Sequence, residues 1–263
     1  MSGHPAWKAA LPSGVLAELT PGTVTLVGGG PGDPGLMTLA GLAALQDAEV
    51  VLYDHLAPLE LLGQTRPDAE LIDVGKLPRG PFTPQEEINR LLVEHARAGR
   101  KVVRFKGGDS FVFGRGGEEI QACAAAGVPV RVVPGVSSAI AAPGLVGIPV
   151  THRGLSQGFT VVSAHVGPQS PDSTVNWQAL AASGTTLVVL MGVRTLSEVC
   201  AVLLGHGLPA DTPATIIENA GRPDARLIRS TLTDLPAAAV AASVVSPAVT
   251  VIGEVAGLDL PLT

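Results

Sequence analysis

The chain has 263 residues, with 17 lysines and arginines against 23 aspartates and glutamates for a net charge of −6; 46% of its residues are hydrophobic but only 3% aromatic. That length supports one large or two modest α/β domains whose cores are filled by small aliphatic side chains. The acidic balance excludes a general nucleic-acid surface, so an anionic ligand must meet a local cluster of cations.

Residues 1–22 read as a flexible extension lacking the basic and apolar regions of a secretion signal. No apolar run reaches the roughly 18 residues of a membrane span, so the chain reads as cytoplasmic, with no membrane or nucleic-acid partner. Beyond this extension "VTLVG", residues 24–28, is an apolar strand running into "GGGPGD". Gly28 and Gly30 begin a G-x-G-x-x-G pattern, but its last position is Asp33, and Pro31 and Pro34 interrupt the turn. Prolines remove amide donors and Asp33 sits where phosphate charge would lie, so either a phosphate-free ligand or a simple tight turn fits better than a dinucleotide.

A helix follows over Leu36 to Gln46. Then come "EVVLYD" (49–54), "AELIDVG" (69–75), a helix over Pro84 to Ala98, "KVVRFKGGD" (101–109), a helix over Gly116 to Ala126 and "VPVRVVPG" (128–135). Strand alternating with helix is the rhythm of a parallel sheet. The pattern pauses over "GIPVTHRGLSQG" and restarts with "FTVVSAHV", "TTLVVLMG", "TPATIIENAG", "ARLIRSTL" and "PAVTVIGEV", with "AAAVAAS" as a short alanine-rich helix. The expected organisation is an α/β domain over 23–135, a joint over 136–155 and a second α/β domain over 156–263.

Open α/β sheets bind ligands at the carboxyl ends of their strands. In the first half those ends carry "GGGPGD", "YDHLAP", "GKLPRG", "FKGGDSFVFGRGGEE" and "PGVSSA". Such a concentration of glycine, charge and hydroxyl at one edge predicts a single large site. Lys76 lacks the glycines and the following Ser or Thr of a P-loop. The six histidines form no H-x-x-x-H and none lies near both cysteines, so no metal is expected; Cys123 and Cys200 read as buried free thiols. "GVSSA" lacks the second glycine of a nucleophile elbow, which leaves Ser137 and Ser138 as a helix cap or as ligand hydrogen-bonders.

Taken in order, "VGGGPGDPGLMTL", "VVLYD", "VGK", "PQEEIN", "VRFKGGDSFVFGRGGEE", "VVPGVSSA", "GIPVTHRG", "LMG" and "VIGEV" resemble the uroporphyrinogen-III C-methyltransferases of the tetrapyrrole methylase family, from about Thr23 to Leu258. The resemblance implies the tetrapyrrole methylase (class III methyltransferase) fold, two α/β domains with the active site in the cleft between them. It implies double methylation of uroporphyrinogen III by S-adenosylmethionine, giving precorrin-2 and S-adenosylhomocysteine, on the branch toward sirohaem and cobalamin. It also implies a homodimer of the single-function form, without a preceding NAD-binding sirohaem-synthase domain.

Carried over residue by residue, the resemblance places Pro31, Gly107, Gly108, Asp109, Val112, Ser137, Ser138, Met191 and Ala220 around the cofactor. Asp54 becomes the candidate proton acceptor and Lys76 the candidate donor. Arg79, Lys106, Arg115 and Arg153, with Arg104 beside them, form the cation cluster that the substrate's carboxylates require, although Arg115 could instead pair with Glu118 or Glu119. The chain departs from the family pattern at Gly29, Leu77, Ser110 and "SAH" (163–165). The alternatives are a methylase of a later corrin precursor, a dinucleotide-binding oxidoreductase and a non-catalytic binding module.

Overall fold

The computed structural model describes residues 18–75 and 83–260. The chain divides into two compact units, Met1–Ser137 and Ser138–Thr263. The first contains strands β1 (Val24–Gly28), β2 (Val50–Tyr53), β3 (Glu70–Asp73), β4 (Val102–Lys106) and β5 (Val130–Val133), with helices α1 (Leu39–Asp47), α2 (Gln85–Arg97) and α3 (Gly116–Ala125). Its sheet has the order β3-β2-β4-β1-β5 and every pairing is parallel. Central strands of such a sheet are covered on both faces and carry nearly continuous aliphatic runs. One face of β1, β2 and β4 packs Val24, Leu26, Val50, Leu52 and Val102 against Ile88, Leu92 and Cys123. The other packs Val27, Val51, Val103 and Phe105 against Ala44 and Leu45, and Leu19 from the segment read as an extension is buried there too.

The second unit contains α4 (Ser138–Leu145), β6 (Phe159–Ser163), α5 (Trp177–Ala181), β7 (Thr186–Leu190), α6 (Leu196–Gly205), β8 (Pro213–Glu218), β9 (Arg226–Thr231), α7 (Leu235–Ala241) and β10 (Ala248–Ile252). Its sheet runs β6-β7-β10-β8-β9 and is mixed: β6 and β7 are parallel, but the β10 pairings and the β8-β9 pairing are antiparallel. The parallel rhythm thus stops at the second half, because no helix separates β8 from β9 and a short connection returns the chain antiparallel. One sheet face packs on α6 through Val199, Cys200 and Leu203. The other packs on Ala139 and Ala142 of α4.

Two local expectations change. The helix read from Leu36 starts three residues later, where the Thr38 hydroxyl caps it by accepting from the Gly41 amide at 3.1 Å. Before it lies a single 3-10 turn, Pro34–Leu36, capped by Asp33, whose carboxylate accepts from the Gly35 amide at 2.7 Å. Asp33 is therefore a capping residue. Both cysteines are free and buried, and burial pushes each thiol up to about 11.

Three strand ends of the first sheet meet backbone to backbone. A Cβ on Gly135 would lie 2.2 Å from the Gly108 carbonyl oxygen, and one on Gly28 would lie 2.6 Å from that oxygen and from the Gly135 Cα. Gly117, in the first turn of α3, has nothing within 4 Å of its Cβ position. Gly135→Ala is accordingly expected to destabilise by at least about 1–3 kcal/mol, since backbone cannot step aside as a side chain can. Gly117→Ala should be neutral or stabilising by about 0.5–1 kcal/mol. Urea unfolding of both variants checks the contrast; equal midpoints would contradict it.

Candidate active site

The glycine loop after β1 is held by the loop after β4. Gly30 and Gly108 exchange backbone hydrogen bonds, Gly30 donating at 3.2 Å and Gly108 at 2.7 Å, while the Gly29 amide donates to the Lys106 carbonyl at 2.7 Å. Asp109 ties in the loop after β5 by accepting from the Gly135 amide at 3.0 Å, and its second oxygen accepts from the Phe111 amide at 2.9 Å. A phosphate cradle requires amides that point outward unsatisfied. Here the amides of Gly29, Gly30, Gly35 and Gly108 are already bonded within the protein. This removes the basis for a pyrophosphate ligand.

Beyond Asp109 the loop coils on itself, with the Ser110 carbonyl accepting from the Gly116 amide at 3.0 Å. Gly108, Phe113 and Arg115 adopt positive φ angles of 61°, 55° and 58°. Two non-glycine residues in that region within three positions store strain of order 1–3 kcal/mol each, which concentrates at ligand sites. The coil presents Phe111, Val112 and Phe113 to solvent, Phe111 being 57% exposed, with Leu56 of the β2 loop also exposed. The Ser110 hydroxyl is buried with no hydrogen-bond partner among the described residues, so it adds no bond that a proline at this position would lose.

Asp54 follows β2 and meets two cations. Arg104 and Lys106 alternate on β4, so they share a sheet face, the face covered by α2 and α3. Both are buried, as is Glu119 of α3. The Arg104 Nη2 donates to Asp54 Oδ1 at 2.6 Å and its Nε to Glu119 Oε1 at 2.9 Å. Lys106 Nζ donates to the same Glu119 oxygen at 3.1 Å and stands 3.8 Å from Asp54 Oδ2. Burial, reinforced by Arg104, pulls Lys106 below the ordinary lysine range. Burial also opposes the Arg104 charge, but Asp54 and Glu119 outweigh it and raise its pKa. The two cations and two carboxylates balance.

These distances correct the reading of Arg104 and Lys106 as cations available to a substrate: both are turned inward and already paired. A signal for this was present. "VVRFK" places charges at alternate positions of a strand covered on both faces, and a buried charge needs a buried counter-charge. Arg115 is exposed and paired with Glu118 through Nε at 2.8 Å and Nη2 at 2.6 Å. Arg153 lies exposed in a turn closed by the His152–Ser156 bridge. Lys76 and Arg79 lie outside the described residues. Sequence reasoning missed His55, whose Nε2 is 2.8 Å from Asp73 Oδ2 at the same sheet edge.

In the second unit Met191 ends β7 at φ 57° and is 46% exposed, and Asn219 ends β8 at φ 52°, immediately before the half-buried Ala220. Leu190 and Ile217 are both level with Val249 of β10, so the strands before Met191 and Ala220 end at the same edge of that sheet. Ser138 opens α4 and Ser137 precedes it as the last residue of the first unit. Among the described residues no cluster of His, Cys, Asp or Glu could hold a metal, and no helix is long and apolar enough to cross a membrane. Spent amides, exposed apolar side chains and a half-exposed carboxylate suit a ligand that is apolar and cationic rather than phosphorylated.

Residues 23–236 match the Tetrapyrrole (Corrin/Porphyrin) Methylases. The siroheme synthase of Gluconacetobacter diazotrophicus is 45% identical over 96% of this chain, and the match covers 53% of that protein. The chain spans about half the length of the curated relatives it matches. Among solved structures, a uroporphyrin-III C-methyl transferase from Thermus thermophilus complexed with S-adenyl homocysteine is 41% identical, covering 89% of this chain and 93% of that one, with a TM-score of 0.76. A cobalt precorrin-4 methyltransferase superposes with a TM-score of 0.80 at 27% identity, covering 90% of this chain and 97% of that one.

Removing Arg104 strands two carboxylates, one of them fully buried, whereas Arg115 sits in a solvated pair. Arg104→Met should therefore cost about 3–5 kcal/mol of stability. Arg115→Ala should cost no more than about 1 kcal/mol. Chemical unfolding at neutral pH checks the ranking.

Proposed function

The chain belongs to the tetrapyrrole methylase family, and from that membership we propose that it transfers two methyl groups from S-adenosylmethionine to carbons of uroporphyrinogen III, giving precorrin-2 and S-adenosylhomocysteine. The observation that carries the choice within the family is the difference in identity: 41% to the uroporphyrin-III C-methyl transferase against 27% to the cobalt precorrin-4 enzyme, although the latter superposes at least as well. Backbone likeness alone does not discriminate acceptors. The bonded amides of the glycine loop support a cofactor without phosphate over NAD. The proposal concerns methyl transfer and none of the other reactions of longer relatives.

Bound S-adenosylmethionine supplies an electrophilic methyl group on a sulfonium. The remaining work falls to the chain: to hold the acceptor carbon in line, to bind carboxylates and to remove a proton from the methylated ring. Positioning of this kind contributes roughly 7–11 kcal/mol. Asp54 is the proton acceptor in this reading, and Oδ2 is the oxygen that acts, because Oδ1 is bonded to Arg104 while Oδ2 has Lys106 only at 3.8 Å. Pro31, Gly107, Gly108, Asp109, Val112, Ser137, Ser138, Met191 and Ala220 are the cofactor residues in this reading. Arg153 and Arg115 take substrate carboxylates, and Arg115 exchanges an exposed ion pair worth about 0–1 kcal/mol to do so. Lys76 and Arg79 keep the roles of proton donor and carboxylate ligand in the proposal. The protein acts in the cytoplasm as a homodimer, a state that its 46% hydrophobic and 15% charged composition accommodates.

Calorimetry should show S-adenosylmethionine binding and no NAD binding. Supplied with uroporphyrinogen III, the enzyme should yield a doubly methylated product; methylation of a later corrin precursor alone would overturn the substrate assignment. Asp54→Asn should lower turnover by about 10²–10⁴-fold with cofactor affinity unchanged, because the amide keeps the shape but not the base. Near-normal turnover at saturating substrate would return Asp54 to a structural role. Light scattering should give twice the chain mass, and a monomer at micromolar concentration would remove the dimer.

A further inference from the structure

Glu119 occupies a position where a carboxylate is costly, and its hydrogen bonds are lopsided. Its side chain has no solvent exposure, yet Oε1 accepts from Arg104 Nε at 2.9 Å, Lys106 Nζ at 3.1 Å and Gln85 Nε2 at 3.3 Å, while Oε2 has no partner among the described residues. Fully buried ion pairs are commonly no more stabilising than well-packed apolar side chains of the same volume, so burying one calls for a reason other than stability. The geometry supplies one.

A guanidinium beside a carboxylate prefers to engage both oxygens with two parallel N–H bonds. Arg104 does not do this to Asp54. Its Nε is taken by Glu119, so only Nη2 reaches Asp54, through Oδ1 at 2.6 Å, and Nη1 is left with long contacts to the Leu52 and Phe105 carbonyls at 3.5 and 3.4 Å. Lys106 is restrained in the same way, bonded to Glu119 and short of hydrogen-bond reach of Asp54 Oδ2. One buried oxygen thus limits Arg104 to a single bond with Asp54 and holds Lys106 short of it. The neighbouring His55 is directed at Asp73.

We propose that Glu119 is a positioning residue for the methyl-transfer reaction, holding Arg104 and Lys106 so that Asp54 keeps one oxygen bonded and the other open to accept the substrate proton. This rests on the reading of Asp54 as the proton acceptor. Glu119 touches no substrate; it acts through the two cations. Without its charge, two buried cations face the single carboxylate of Asp54, Arg104 rotates toward a two-point grip and Lys106 moves to Oδ2. Asp54 becomes a less accessible base.

The test compares Glu119→Gln, Arg104→Lys, Asp54→Asn and the double variant Asp54→Asn/Glu119→Gln in the purified full chain, with S-adenosylmethionine and uroporphyrinogen III. Glu119→Gln should lower kcat by about 10–100-fold with both KM values within about twofold, the pattern of a misplaced catalytic group. A purely structural glutamate would lower the unfolding temperature while leaving kcat of the folded enzyme in place, and that result would overturn the proposal. Arg104→Lys keeps the charge but cannot bridge both carboxylates, so it should lower kcat as well; wild-type kcat there would also overturn the proposal, and this variant decides if Glu119→Gln does not fold. The double variant should be no slower than Asp54→Asn, since the two residues act as one unit. Should Asp54→Asn itself keep its turnover, the assignment of the base falls and this inference falls with it. A slow Asp54→Asn beside a normal Glu119→Gln removes only the inference.

Discussion

The Gly108 carbonyl packs directly against the backbone of Gly28 and Gly135, with no room for a single Cβ at either position. Everything at that sheet edge follows from this contact. Three strands of a parallel sheet end side by side about 5 Å apart, and their loops would normally splay to accommodate side chains. Here they close on one another, amide to carbonyl, and the closure consumes the donors that a glycine-rich loop usually turns toward phosphate. The same glycines that suggest a nucleotide by pattern thus leave few free amides for its phosphates. Asp109 completes the closure from beneath the third loop.

Against this backbone frame the chemistry is set by charge burial. Arg104 and Lys106 stand in a strand whose neighbours at Val102, Val103 and Phe105 are fully apolar and buried. Charges in such surroundings persist only when paired and hydrogen-bonded. Glu119 reaches them from the opening turn of α3, and Asp54 from the end of the adjacent strand, so the sheet, a helix and a loop are joined by four side chains. Asp54 is the one member with appreciable exposure, 27% of its side chain. An otherwise sealed cluster therefore touches the outside through a single carboxylate.

Much of the architecture was legible in order along the chain. All ten strands lie within the segments read from apolar runs; in the central strands, burial on both faces writes itself as consecutive Val, Ile and Leu. The helices α2 and α3 agree to within a residue or two. What went unread depended on partners remote in sequence. Arg104 and Lys106 look like cations for a substrate until the register places Arg104 level with Leu52 and Leu26 in the middle of the sheet. The mixed character of the second sheet was not read either, because strand direction is a property of pairing rather than of any single strand.

The sequence by itself determined the α/β class, the places where strands end and the resemblance to tetrapyrrole methylases, because these depend on local periodicity and on short ordered motifs. Only the tertiary structure decided which charges face inward, which amides are already bonded and which oxygen of Asp54 is open. Those depend on pairs such as Arg104 with Asp54, 50 residues apart, and Arg104 with Glu119, 15 apart. Hydrogen bonds of that kind are made or lost within a few tenths of an ångström. Residue types along a chain state which groups are present; only packing states which of them meet.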